Sequence, residues 1–220
     1  MLQLVEQSTD LPIALAKVKK HLRIHSSDDS QDEYLTDLIF EAVDYIEGKT
    51  GFSYIESTFD LILPSFWTEP QRFSTYPQTP WPYWTQFTWP YPYGATSQPW
   101  IAHNRIYLPR PPLASVDSVK YHDTTNTQQT LDPSNYNVIL GEFEPGFVEP
   151  ALPNSWPATY IRGDAVTVRF TTTVAPYQRA VFQRAVYLVC GWFNENREGQ
   201  AKDVEAIDRL VMQLCDGGYR

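Results

Sequence analysis

Cysteine is almost missing from this 220-residue chain, with Cys190 and Cys215 the only two. Both fall in stretches with helical periodicity, so a disulfide framework is not expected and buried, inert thiols are. Basic residues are also scarce: 17 Lys and Arg face 26 Asp and Glu, for a formal charge of −9. A groove that grips nucleic acid neutralises phosphates with Lys and Arg. The balance therefore argues against tight nucleic-acid binding, though not against a surface that nucleic acid slides past. Long apolar runs are absent too, and no stretch approaches the ~20 apolar residues of a membrane span. Met1-Leu2-Gln3-Leu4-Val5-Glu6 lacks the basic start and apolar core of a signal peptide, and a reducing cytoplasm is the expected place of synthesis.

Signatures of catalysis are equally thin. The four histidines, His21, His25, His103 and His122, are scattered. His21 and His25 have the spacing of a helical metal pair, but the expected helix ends between them. The acidic cluster Asp28, Asp29, Asp32 and Glu33 is explained by charge complementarity at a helix N-terminus. There is no Gly-rich phosphate loop, Gly-x-Ser-x-Gly elbow or Cys-x-x-Cys pair. No reaction, metal or cofactor is expected.

What the chain has in quantity is aromatic side chains and proline: Trp 7, Tyr 14, Phe 11 and Pro 18. Rings of this kind bury large areas while ordering few rotors, which suits both interfaces and cores. They concentrate between Pro64 and Trp100, where prolines every few residues forbid a regular helix or a central strand. This stretch reads as an extended loop. Its rings, among them Trp81, Tyr83, Trp84, Trp89, Tyr91 and Tyr93, either form a contact arm for a neighbour or pack on their own domain. Base stacking is disfavoured because Arg72 is the only basic residue there.

Around this loop the periodicities are ordinary. Leu15, Val18, Lys19 and Leu22 place a short helix over about 14–22. Ser30-Gln31-Asp32-Glu33 fits a capping box, opening a helix over 32–50 with Leu35, Leu38, Ile39, Ala42, Val43 and Ile46 on one face and Gly51 as its stop. Strands are expected over 58–63, 105–108, 115–121, 136–140 and 164–170, with a short extended piece at Thr130-Leu131 and a turn at Asp132-Pro133-Ser134-Asn135. Pro176 lies near the start of a third helix, with Val181, Phe182, Ala185, Val186, Leu188, Val189, Trp192 and Phe193 as a broad apolar face and Gly191 as a close-packing position. Asp203 caps a last helix striped by Val204, Ile207, Leu210, Val211 and Leu214. Two helices, a run of strands and two helices give an α+β class without a parallel α/β sheet.

Several segments, in order and spacing, resemble the head–tail connector (adaptor, or head-completion) proteins of tailed bacteriophages and gene transfer agents. They are Leu15-Ala16-Lys17-Val18-Lys19-Lys20-His21-Leu22-Arg23-Ile24, Asp32-Glu33-Tyr34-Leu35, Ile46-Glu47-Gly48-Lys49-Thr50-Gly51, and Leu108-Pro109-Arg110-Pro111-Pro112-Leu113-Ala114-Ser115-Val116 with Val119-Lys120-Tyr121. Further along come Leu131-Asp132-Pro133-Ser134-Asn135-Tyr136, Ala165-Val166-Thr167-Val168-Arg169-Phe170, Arg184-Ala185-Val186-Tyr187-Leu188, Asn196-Arg197-Glu198 and Ile207-Asp208-Arg209-Leu210. The stretch 64–103 is longer and more aromatic than the usual link.

The resemblance implies a helical bundle formed by the N- and C-terminal helices and bearing a β-rich insertion. Residues 1–55 would be the N-terminal helical part, 56–172 the insertion with its aromatic, proline-rich loop 64–103, and 173–220 the helices and tail that complete the bundle. It further implies a homo-oligomeric ring, typically twelvefold, under the portal protein of a virion. Such a ring extends the DNA channel without binding DNA specifically and offers a platform to a tail-side protein. The C-terminal segment would dock on the portal through Leu210, Leu214, Tyr219 and Arg220. The rival reading is a carbohydrate- or ligand-binding module built on the Trp/Tyr loop.

Overall fold

A computed structural model describes residues 1–66, 105–141, 145–174, 179–196, 208, 209 and 211. It is α+β, with every strand pairing antiparallel. The elements are β1 (Leu2–Gln7), α1 (Leu15–His21), α2 (Asp32–Thr50), β2 (Ser57–Leu63), β3 (Ile106–Leu108), β4 (Leu113–His122), β5 (Gln128–Thr130), a 3₁₀ turn (Pro133–Asn135), β6 (Tyr136–Ile139), β7 (Gly146–Pro150), β8 (Val166–Thr172) and α3 (Arg179–Glu195).

The helices share one apolar core. Val18 of α1, the Leu35, Leu38, Ile39, Ala42, Val43 and Ile46 stripe of α2, and Phe182, Ala185, Val186, Val189 and Cys190 of α3 are all buried in it. These are the positions that the 3.6-residue period brings onto one face. Helix α2 ends as its sequence requires: Gly51 takes the left-handed conformation, φ 70°, and its N–H donates to the Glu47 carbonyl at 2.8 Å. The residues after it, Phe52, Tyr54 and Ile55, continue the same core, with Tyr54 stacked on Phe182 at 4.3 Å between ring centroids.

The strands form two sheets around a second core. The larger has the order β1-β2-β8-β4-β5 and the smaller β3-β7-β6. Period-two alternation sets what faces inward. In β2 and β8, Phe59 pairs with Phe170, Leu61 with Val168 and Leu63 with Val166, and all six are buried. Their neighbours Asp60 and Arg169 point the other way and form a two-bond pair of 2.8 and 2.7 Å. The smaller sheet turns Ile106, Val148 and Val138 inward. At the start of β7, a Cβ on Gly146 would lie 2.9 Å from the Ile139 carbonyl oxygen and 2.5 Å from Leu113 Cδ2, so the approach of β7 to β4 demands glycine there.

Several expectations change. The first residues form a strand, β1, on the outer edge of the large sheet, although only its two ends are even partly buried. Strand β7 was not anticipated, because Gly146 and Pro150 bracket it and mask its short apolar run. The capping box is not made. The N-cap position of α2 is Gln31 without a side-chain cap, and Ser30 instead donates its backbone N–H, at 3.1 Å, and its hydroxyl, at 2.6 Å, to Asp28 Oδ1. Gly191 is less tightly packed than its place suggests, since an added Cβ would meet Leu22 at an ordinary 3.9 Å. On α3 the apolar face is narrower than expected: Val181 and Leu188 are exposed. Pro176 and Asp203 lie outside the described residues.

Candidate assembly surfaces

The residues expected to make contacts, Leu210, Leu214, Tyr219 and Arg220 in the tail and Trp81, Tyr83, Trp84, Trp89, Tyr91 and Tyr93 in the loop, lie outside the described residues. Their attachment points are described. Toward the C-terminus Asp208, Arg209 and Val211 are helical, and Val211 is buried in the helical core. Asp208 fastens this segment to α2: its Oδ1 accepts the Tyr45 hydroxyl, and its Oδ2 accepts from Lys49 Nζ at 3.1 Å. Burial, and then the Asp208 carboxylate, push the Tyr45 phenol above its ordinary pKa, so it stays a donor at any physiological pH.

The aromatic stretch leaves and rejoins the β core. On its near side Phe66 is fully buried, stacked on Trp156 at 4.8 Å with the rings 5° from parallel, and 5.6 Å from Tyr121. On its far side Arg105 donates to Glu149 Oε2 at 2.9 Å and lies 4.4 Å over the Phe147 ring, just before Ile106 enters the same core.

Two other surfaces present apolar groups from ordered backbone. In the connection between β7 and β8, Leu152 is 88% and Ile161 97% exposed, with Tyr160 beside it at 43%. The backbone under them is firmly held. Ala151 N–H donates to the Asn135 carbonyl at 2.9 Å and Tyr160 N–H to the His122 carbonyl at 3.0 Å. Arg162 grips Asp164 through two bonds of 2.6 Å and donates to Asn126 Oδ1 at 3.1 Å. Scattered exposed apolar residues are normal; a hydrogen-bonded loop that aims several outward is less so. On the outer face of the small sheet, Tyr107, Phe147 and Ile139 align across the three strands, with Tyr107 and Ile139 exposed.

The acidic cluster has a role that charge complementarity alone did not reveal. Lys19, on the apolar face of α1, is only 4% exposed. Its ammonium donates to the Asp28 carbonyl at 2.9 Å and to Asp29 Oδ1 at 3.4 Å, and pairs with Asp32 Oδ1. The hydrogen bond to Asp32, stronger than the opposing burial, holds the ammonium above its ordinary pKa. The cluster therefore ties α1 to the start of α2 by an internal cation. The signal was present in the sequence, since Lys19 occupies an apolar position of the helical repeat.

A third polar grouping lies between the two cores. Glu47, buried in the last turn of α2, accepts at Oε1 from the backbone N–H of Tyr54 at 2.7 Å and of Ile55 at 3.2 Å, and at Oε2 from Arg110 at 3.3 Å. Arg110 has a left-handed backbone, φ 64°. Around them Ser53 N–H donates to the Pro111 carbonyl at 2.8 Å, and the single Thr172 hydroxyl hydrogen is shared between Ser53 Oγ at 3.0 Å and the Ser57 carbonyl at 3.1 Å. Burial raises the Glu47 carboxyl above its ordinary value against the pull of the Tyr54 amide and Arg110.

Among the described residues no cluster of His, Cys, Asp and Glu could hold a metal ion, and no helix is long and apolar enough to cross a membrane. His21 stacks on Tyr187 at 5.2 Å, while His25 Nδ1 is 2.7 Å from the Ser27 hydroxyl, so the two histidines serve different contacts. Cys190 is a free, buried thiol that burial pushes up to about 12, well out of the nucleophilic range.

Residues 12–72 match the family described as phage gp6-like head-tail connector protein. This span holds α1, the acidic link, α2, the connector after it and β2. No curated protein matches the chain significantly. Among solved structures, a chain of the neck of an empty gene transfer agent (GTA) particle computed with C6 symmetry superposes with a TM-score of 0.66 at 19% identity, over 97% of this chain and 94% of that one. A chain of the virion of a native gene transfer agent particle gives 0.65 at 18% with the same coverage. A chain of the neck of a native GTA particle computed with C12 symmetry gives 0.58 at 18%, again over 97% and 94%. In the sequence of its N-terminal part this chain is similar to the head–tail connector proteins of phages, and along nearly its whole length it has the fold of chains from gene transfer agent particles.

Proposed function

We propose that this protein is a structural, non-catalytic head–tail connector subunit, which closes with copies of itself into a ring under the portal of a virion after assembly in the host cytoplasm. The observation that carries the reading is the joint one: a connector-family match over 12–72 and a shared fold over 97% of the chain with neck and virion chains of GTA particles. The necks were computed with C6 and C12 symmetry, and a ring of twelve copies fits both. In this proposal the helices of 1–55 and 173–220 form the bundle end of the subunit and 56–172 its β-rich body. The C-terminal residues Leu210, Leu214, Tyr219 and Arg220 dock on the portal, and the loop rings Trp81, Tyr83, Trp84, Trp89, Tyr91 and Tyr93 reach a neighbour. A ring needs two different surfaces that meet head to tail, and the outward Leu152 and Ile161 on a firmly bonded loop suit one of them.

DNA crosses such a ring without being held. A net charge of −9 agrees with a channel that makes few phosphate contacts. The tail-side face then receives the next connector protein.

Sedimentation of the purified chain, alone and mixed with portal particles, tests the proposal. Ring-sized species or co-sedimentation with the portal is expected, and a strict monomer that ignores portal particles would overturn it. Deleting Gly217 to Arg220 together with Leu214→Ala is expected to release the portal while the circular dichroism stays unchanged.

A further inference from the structure

The described part of the molecule has two apolar cores, one among the helices and one between the sheets. Its buried polar side chains are Lys19, Glu47, Thr50, Ser53, Ser57 and Thr172. Lys19 apart, they fall at the end of α2, in the connector after it, at the first residue of β2 and at the end of β8. Thr50 donates to the Ile46 carbonyl at 2.9 Å, Ser53 and Ser57 donate to the Ile55 carbonyl at 2.8 and 3.0 Å, and Thr172 joins the two serines from the far end of β8. Glu47 occupies the centre, holding the connector amides with one oxygen and Arg110 with the other.

Apolar contacts are non-directional and let packed faces slide. Hydrogen bonds to buried carboxylates and hydroxyls hold one geometry, and buried polar networks favour a unique arrangement over maximal stability. The turn that supplies Arg110 is itself set against its backbone preference, because a non-glycine residue at φ 64° is sterically disfavoured. Its guanidinium also lies 5.7 Å over the Phe59 ring, so one side chain touches α2 and the β core together. Two segments far apart in sequence, Ile46 to Gly51 and Leu108 to Leu113, thus meet in this ion pair, beside the backbone bond from Ser53 N–H to the Pro111 carbonyl.

We propose that this polar seam is a latch that sets the angle between the helical and the β layer, with Glu47–Arg110 as its bolt. Releasing the bolt leaves each layer folded and lets the two reorient as bodies. This stands independently of the connector reading, because it concerns the subunit before any assembly.

The test is a distance measurement between spin labels on the full chain, one at Glu41 on the exposed side of α2 and one at Thr124 in the β4–β5 turn, with Cys215→Ser to remove a competing thiol. Hydrogen exchange is followed in the same samples. Glu47→Ala is expected to broaden the label-to-label distribution at least twofold and to speed exchange of the Tyr54 and Ile55 amides at least tenfold, while protection within α2 and β8 changes less than threefold. Arg110→Asn, which tolerates a left-handed backbone, is expected to broaden the distribution while keeping the Tyr54 and Ile55 amides protected. The proposal is overturned if both variants keep the narrow distribution. It is equally overturned if α2 and β8 lose protection together with the seam, in either variant, since the layers would then be one cooperative body.

Discussion

Lys19 lies buried among the helices under Asp28, Asp29 and Asp32, whereas the comparable pair of the β layer, Asp60 with Arg169, stands on the solvent side of its sheet. The difference follows from the two periodicities. Along a strand every second residue faces outward, so Asp60 and Arg169 leave the core between Phe59 and Leu61 and between Val168 and Phe170 without cost. A short helix with a broad contact face has no such freedom. Position 19 falls within the stripe of α1, and a charge placed there must be answered by acceptors from another segment. The β layer thus separates its charges by geometry, and the helical layer neutralises one by pairing.

The comparison can be broken in several places. The largest effect is expected from Phe170→Ala, which empties the centre of the β core opposite Phe59, with a cost of about 3–5 kcal/mol. Urea unfolding measures it, and a loss below about 1 kcal/mol would show that the sheets do not share one packed core. Next comes the charge contrast itself. Lys19→Met is expected to lower the thermal midpoint several-fold more than Arg169→Ala does, because Arg169 is partly exposed and pairs of that kind contribute only ~0.2–1 kcal/mol. Equal shifts would mean that the buried cation is no more important than the surface one.

A subtler effect concerns pH. Burial holds Glu47 above its ordinary 4.5, so the native state binds this proton more tightly than the unfolded chain. The resulting stabilisation is complete below 4.5 and is lost as pH rises through the folded value. Glu47→Gln removes that loss, and its unfolding free energy, measured by denaturant titration at a series of pH values, should fall less with rising pH across this window. Parallel curves would refute the assignment. The smallest expected effect is a gain: Gly191→Ala has room beside Leu22 and should add about 0.5–1 kcal/mol of stability by its helix propensity.

Legibility followed the same divide. Helix α2 was readable to the residue, because its apolar stripe is long and Gly51 ends it in a conformation that glycine favours. Strands β2 and β8 were readable because they are central and alternate strictly. Strand β1 was not, since an edge strand that buries little has little pattern to show, and β7 was hidden by the glycine and proline that bracket it. Local capping chemistry differs from the expected box because Asp28, only two residues away, outcompetes the helix for Ser30. For the candidate site, the part legible in sequence was Lys19 in its apolar position. The Glu47–Arg110 contact was not, because no local pattern joins residues that far apart; only the fold brings them together. The tail and loop residues named from sequence remain proposals.

Phe66 and Arg105 have one more implication. Phe66 is tied into the β core by ring stacking and Arg105 by an ion pair and a ring contact, so the last described residue before the intervening segment and the first one after it are both anchored. A change at either residue therefore reaches the β core directly, through the Trp156 ring on one side and the Glu149 carboxylate on the other.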